Sequence, residues 1–424
     1  MRATQENHPL FVAAKEAVIF MMPLLNMEAF RRRCMAQTPS NSFSHGRQLF
    51  DHTNRVVTTP NNDTLYSMCW LDLRDGPVSL TMPPSEGRYM TLALLDMYTN
   101  NYVVLGDRTS GPDGGEFTVV GPEQSSAGLP EPVVRSPTPL CFAFVRVLVN
   151  DADDLQAACA VQDRFQVAGP VVETPVPSPE GDIDRHADWS RFFAQASVLY
   201  QFHRPRATDW AAVRRMAPLR LNAFDAETFT PDEVSAIEAG MAAGRAELDG
   251  AMISKAGTRQ GWQAPPDSHG DFKQDYLRRA GVSIFGLLAL PWQESTCFSA
   301  TMFGGQRLDG RVPMKWHLPS LDTIAVDAFW SLTMYETTED GERWFTKNPL
   351  NRFAIGDRTP GMEINPDGSL DIWIGHNSPG PEREANWLPA PEGPYSLLLR
   401  CYHPRPEFHA TKYSQLPEPE VVTE

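Results

Sequence analysis

The stretch "PNNDTLYSMCWLDL", residues 60–73, decides how the chain is read. From Thr64 onward the side chains alternate. Tyr66, Met68, Trp70 and Asp72 share one face of an extended segment, and Leu65, Ser67, Cys69 and Leu71 take the other. That period of two predicts a strand. The polar cluster before it, Asn61, Asn62 and Asp63, has two readings. Such side chains close turns on their own backbone. Beside Tyr66 and Trp70, at a strand end, they also suit the rim of a polar pocket. The sequence leaves both open.

Outward from this strand, short alternating runs continue to about residue 170. "RYMTLALLDMYTNNYVVLG" (88–106) is β-rich, "SGPDGG" (110–115) is a turn, and "EFTVVG" (116–121) and "PLCFAFVRVLV" (139–149) are strands. Upstream, residues 8–36 have helical spacing, with Pro9 in the first turn, Arg31–Arg33 at the C-terminal end and Pro23 as an expected kink. "VVETPVPSPEGDIDRHA" (171–187) reads as a linker into a helical block. There Thr230, Pro231 and Glu233 mark a helix start over 230–253. From about 295 the β pattern returns, and the "PDG" of "MEINPDGSLDIWIGH" (362–376) predicts a hairpin. The division is an N-terminal helical segment (1–40), a first β unit (41–175), a helical connecting region (176–292), and a second β unit with a C-terminal tail (293–424). The fold class is mainly β with a helical insert.

Composition bounds the function. A length of 424 residues with 42% hydrophobic content supplies more than one core. A net charge of −16 argues against nucleic acid, which needs a basic face. The six cysteines, Cys34, Cys69, Cys141, Cys159, Cys297 and Cys401, form no C-x-x-C pair, so a reducing, cytoplasmic setting is expected. Lys15 and Glu16 interrupt the N-terminal apolar run. With no basic start or cleavage motif, neither a signal peptide nor a membrane partner is expected.

Dinucleotide, phosphate-loop, zinc-protease and serine-hydrolase motifs are absent, and no cofactor is expected. His45 and His52, and His317, His376 and His403, lack the close spacing of metal ligands, so no metal is expected. The richest chemistry lies around the opening stretch. Parity places Arg88, Asp96, Tyr98 and Asn100 on one face of the next strand, and Tyr89 and Asn101 on the other. A second cluster comprises Asn348, Asn351, Arg352, Asp357, Arg358, Glu384, Asn386 and Trp387. Its Asn-Pro and Pro-Glu-Gly turns give it a structural reading, and Arg352 is suited to stacking on Trp387.

"PNNDTLYSMCWLDL", "GRYMTLALLDMYTNNYVVLGDRTSG", "NPLNRFAIGDR" and "NWLPAPEGPYSLLLRCYHP" resemble the two halves of a two-part bacterial family of unknown function. The resemblance implies two antiparallel jelly-roll-like β-barrels or sandwiches joined by helices, and a homo-oligomer. It implies no reaction and no catalytic residues. The chain departs from the family's pattern at Phe20-Met21-Met22-Pro23, where relatives often carry tyrosines, and at Cys297 and Phe298. Both changes replace hydroxyls with apolar bulk, which suggests a pocket for a greasier ligand.

Together these readings predict a cofactor-independent enzyme doing acid–base chemistry (hydrolysis, elimination, isomerisation or cyclisation) on a small, partly apolar metabolite. Asp63 is the expected proton carrier, Tyr66 its partner, Arg88 the anion holder and Asp96 a second carboxylate. Asn61, Asn62, Trp70, Tyr98, Asn100, Asn101, Trp330, Arg352 and Trp387 are the expected substrate contacts. A small-molecule binding protein without turnover and a structural jelly-roll oligomer are the alternatives.

Overall fold

The structure is a computed structural model that describes residues 6–55, 58–253, 261–411 and 413–422. The first half contains β1 (Ser44–His45), β2 (Thr64–Asp72), β3 (Val78–Met82), β4 (Met90–Leu95), β5 (Asn101–Gly106), β6 (Gly115–Val120), β7 (Val133–Arg135), β8 (Leu140–Leu148) and β9 (Gln166–Ala168). They form two open sheets, ordered β1-β2-β8-β4-β5 and β7-β6-β3-β9. Leu65, Cys69 and Leu71 pack inward against Leu80 and Val119 of the opposing sheet. The other face of β2 carries Tyr66, Met68 and Trp70 into a helical layer, as the alternation predicts.

That layer holds α1 (Pro9–Met35), α3 (Trp189–Phe202), α4 (Trp210–Met216), α5 (Pro231–Ile253) and α6 (Tyr276–Phe285); α2 (Leu155–Asp163) lies between β8 and β9. Helix α1 runs through Pro23 as one helix. It is long and apolar enough to cross a bilayer by composition, with mean hydropathy 1.6, but 72% of its most apolar window is buried in the protein. Helix α5 lies directly against it. A Cβ at Gly240 or Gly244 would collide with the Phe11 or Lys15 carbonyl, so glycine there permits the close approach. The predicted start of α5 is present: the Thr230 amide donates to Glu233 Oε2 at 2.9 Å, and the Glu233 amide to Thr230 Oγ1 at 3.4 Å.

The second half contains β10 (Ser295–Ala300), β11 (Met302–Phe303), β12 (Gln306–Arg307), β13 (Met314–Leu318), β14 (Val326–Thr337), β15 (Arg343–Trp344), β16 (Ala354–Gly356), β17 (Leu370–Gly375), β18 (Trp387–Pro389), β19 (Tyr395–Pro404) and β20 (Glu420–Val421). One sheet is ordered β10-β19-β14-β15 with β16 beside β14, and a second β18-β17-β13-β20. Trp316, Trp330, Leu332, Ile372 and Leu399 fill the space between them. Each half is therefore a pair of open, facing sheets, not a closed barrel.

Two local expectations need correction. The parity reading of 88–106 fails because Asp96 to Asn100 form a turn between β4 and β5. Asp96 Oδ1 accepts from the amides of Tyr98 (2.9 Å) and Asn100 (3.0 Å). The "PDG" turn forms, with Gly368 at φ +86°, but only its downstream arm is a strand. The upstream backbone at Glu363 is taken by Asn386, whose amide accepts from Glu363 N at 2.8 Å and donates to Glu363 O at 2.7 Å. One side chain replaces a neighbouring strand.

Candidate functional site

The halves meet across a polar seam. Phe329, Ser331, Thr333 and Tyr335 alternate with the core residues of β14, and cross-strand register places Leu398, Arg400 and Tyr402 of β19 and Cys297 of β10 beside them. Residues 58–63 dock on this face. Asn61 Nδ2 donates to the Tyr402 hydroxyl at 2.7 Å, and Tyr335 donates to the Pro60 carbonyl at 2.5 Å. Arg400, 5% exposed, donates to Thr333 Oγ1, the Tyr335 hydroxyl, and the carbonyls of Thr59 and Pro60.

Asp63 answers the question raised by its sequence. Asn61 closes the turn, its Oδ1 accepting from the amides of Asp63 (2.6 Å) and Thr64 (3.1 Å). The Asp63 carboxylate is thereby free to reach across the seam. It accepts from Ser331 Oγ at 2.6 Å and from Arg358 Nη2 at 3.0 Å. Its arginine is Arg358, not Arg88. Arg88 forms a two-pronged pair with Asp154 at 2.5 and 2.6 Å, beside the start of α2. Asp96 has a third arginine, Arg206, at 3.0 Å. The four residues expected to act together thus divide among three separate ion pairs and Tyr66, whose ring lies 4.8 Å from Phe144.

The expected contact residues divide likewise. Asn62 donates to the Phe50 carbonyl, and Asn100 to Asp96. Asn101 holds the carbonyls of Gly270 and Ala289, tying β5 to the helical layer. The Tyr98 hydroxyl donates to the His203 carbonyl at 2.7 Å, and Trp70 packs on Phe30 and Phe142. Trp330 belongs to the second core. Arg352 grips the carbonyls of Glu384, Ala385 and Trp387 instead of stacking, and Trp387 Nε1 donates to the Gly375 carbonyl. Apart from Asn61 and Asn62, which belong to the segment docked on the seam, these residues hold parts of the scaffold in place away from it.

At the edge of the seam lies a cleft of about 700 Å³, lined by Tyr89, Arg108, Leu148, Trp292, Arg358 and His403 among others. One carboxylate organises its wall. Glu294, 1% exposed, accepts at Oε1 from the Tyr89 hydroxyl (3.1 Å) and His403 Nε2 (2.9 Å), and at Oε2 from Arg108 Nε (2.9 Å). Burial pushes the Glu294 carboxyl up, but His403 and Arg108 more than offset it, and the net shift is downward. An ionised Glu294 accepts only, so His403 carries its proton on Nε2 and presents Nδ1 as the free nitrogen. His403 also has φ +50°, a left-handed conformation costly for a residue with a Cβ. Its amide donates to the Glu294 carbonyl at 3.0 Å, so two bonds between these residues hold that conformation.

Deeper in the seam, Tyr66, Arg146 and Thr91 stand in register across β2, β8 and β4. Arg146, 8% exposed, lies 4.4 Å from the Phe144 ring centre and donates from Nη2 to the Leu288 carbonyl. Its Nη1 and Thr91 Oγ1 are buried without a partner among the described residues. Cys297 is close enough for Arg400 and Arg146 to act on its thiol, although burial dominates and pushes its pKa up. Asp357, bonded to the Trp330 amide, keeps 32% of its side chain exposed, yet the protein crowding it pushes its carboxyl up to about 6.

Among the described residues, no three His, Cys, Asp or Glu side chains gather as a metal site. Glu294, Arg108 and Arg146 carried no local signal in the sequence. His403 stood only among the histidines weighed as metal ligands. Their partners come from three different regions, and only a known topology could have joined them.

Fold and seam define a two-part, β-rich protein whose helical layer packs on its first half. Residues 40–169 match the family described as "Protein of unknown function (DUF1254)", and residues 299–406 match "Protein of unknown function (DUF1214)". The chain carries both parts of this two-part family of unknown function. The crystal structure of the VPA0106 protein from Vibrio parahaemolyticus is similar over 98% of this chain and 100% of that one, with 24% identity and a TM-score of 0.74. That likeness concerns the fold. An uncharacterised protein from Burkholderia cenocepacia is 11% identical over 93% of this chain and 91% of its own, with a TM-score of 0.45. No curated protein matches the chain.

Proposed function

We propose that the protein is an enzyme performing acid–base chemistry on a small, partly apolar, anionic molecule in the cleft between its halves. The observation that carries this reading is the Glu294–His403 pair in the wall of the cleft. His403 is the proton carrier through Nδ1. Glu294 is a positioning residue: it fixes the tautomer and steadies the imidazolium formed when Nδ1 takes a proton. Arg108 and Arg358 place N–H donors on the cleft lining beside Asp107 and Asp327, and these donors suit a carboxylate on the ligand. Tyr89, Trp292 and Leu148 supply apolar surface for the remainder. The chemistry expected from the sequence is kept in this reading, while its centre moves from Asp63 to His403.

The test is a screen of carboxylic acids with aromatic or alicyclic bodies, read by melting shift. Compounds that bind are then incubated in deuterated buffer and followed by NMR. The expected result is conversion, or deuterium uptake at one carbon. Both are lost in His403→Gln, while the melting shift remains. If every binder is recovered unchanged and undeuterated, the protein is a binder without turnover and the enzymatic reading fails. If His403→Gln reacts as fast as the wild type, the assignment of His403 fails.

A further inference from the structure

The helical layer contains a charged side chain with nothing to hold. Arg279, on α6, is 1% exposed. Its guanidinium carbon lies 4.7 Å from the ring centre of Phe20, 5.0 Å from that of Tyr276 and 5.4 Å from that of Tyr98. Aromatic rings favour the flat faces of the cation, whereas its five N–H groups point outward in the plane. Nε, Nη1 and Nη2 all lack a hydrogen-bond partner among the described residues.

A complementary group stands nearby. Asp209 is 2% exposed and close enough to act on Arg279 electrostatically. Its Oδ1 accepts from the Tyr276 hydroxyl at 3.0 Å, while Oδ2 accepts nothing among the described residues. Asn100 Oδ1, on a residue 1% exposed, is likewise unused. Asp96 is different, being taken by Arg206, by Asn100 and by its own turn. A buried cation and a buried carboxylate therefore each keep an open edge.

Charge decides what fits. Arg279 and Arg206 balance Asp96 and Asp209, so a simple anion would leave the cluster with uncompensated charge and Asp209 Oδ2 without a donor. We propose that Arg279 and Asp209 together bind a small zwitterion of the α-amino-acid type. Its carboxylate lies on the edge of the Arg279 fork and its ammonium on Asp209 Oδ2. Two parallel N–H···O bonds from arginine to a carboxylate are the strong form of this contact. Each ionic end is neutralised by the group that its arrival desolvates. The Phe20 and Tyr98 rings restrict the ligand to a small side group. This site stands apart from the cleft and does not rest on the function proposed there.

The test uses the full chain, titrated with glycine, L-alanine and L-serine, with acetate and methylammonium as controls, by melting shift and calorimetry. The expected result is a shift with the amino acids and none with either control. Arg279→Met and Asp209→Asn each weaken the amino-acid response about tenfold or more. Methionine fills the same apolar cage, and Asp209→Asn serves if the first variant fails to fold. No shift with any amino acid overturns the proposal. So does an acetate response equal to that of glycine, which would indicate a plain anion site. A crystal grown with glycine that shows only ordered water between Arg279 and Asp209 overturns it as well.

Discussion

Two buried arginines show how differently this protein treats its charges. Arg400, in the seam, donates to two hydroxyls and two carbonyls, and in doing so clamps residues 58–63 onto the second half. Arg279, in the helical layer, is more deeply buried and donates to nothing among the described residues. A saturated arginine is structural cement, whereas an unsaturated one marks a place where something else must bind or water must enter. The same distinction separates Asp63, which is fully engaged, from Asp209, which is not.

The sharpest way to break the comparison is to remove a saturated partner. Asp63→Ala leaves Arg358 with only the more distant Asp357, at 3.8 Å, and should lower unfolding free energy by about 3 kcal/mol in chemical denaturation, the low end for breaking a buried pair. Pairing it with Arg358→Met should recover most of that loss. A cost below about 1 kcal/mol, the worth of an exposed pair, would show that the seam does not depend on this ion pair.

A smaller effect separates the layers by pH. His203 is fully buried with both ring nitrogens unpartnered among the described residues, and burial pushes its imidazole down to about 3, with Glu28 opposing and Arg31 assisting. The unfolded chain takes up that proton near pH 6.5, whereas the folded protein refuses it until about 3. Stability is therefore lost as pH falls through this window. From pH 7 to 5 the loss from this group is about 2 kcal/mol. Asp357 acts in the opposite direction, because its raised carboxyl binds a proton first in the folded state. The measurement is therefore the difference between the wild type and His203→Leu across that range, and an unchanged slope would acquit His203.

The smallest effect lies outside both regions. Thr230→Ala removes the hydroxyl of the capping box on α5 and should cost about 1 kcal/mol, visible as a modest fall in Tm. A cost as large as that of Asp63→Ala would mean that this helix start carries tertiary contacts beyond its cap.

What could be read from the sequence follows from the range of the interactions. The alternation of Tyr66, Met68 and Trp70 against Leu65, Cys69 and Leu71 is local, and it assigned both faces of β2 correctly. The Thr230–Glu233 cap spans three residues and was equally legible. The turn at Asp96 was hidden because its flanking residues also suit a strand. The partner of Asp63 was out of reach for another reason: Arg358 lies 295 positions away, and the nearer Arg88 was already taken by Asp154. Asn386 standing in for a strand beside Glu363 leaves no periodic trace at all.

Glu294 lies where the two halves of the chain converge. It precedes β10, receives Tyr89 and Arg108 from the first half, and holds His403 from the far end of β19. Any hinge-like rotation of one half against the other must stretch at least one of these bonds. Glu294 and His403 both belong to the second half and move together, so the bonds from Tyr89 and Arg108 are the ones that gauge how the two halves are seated.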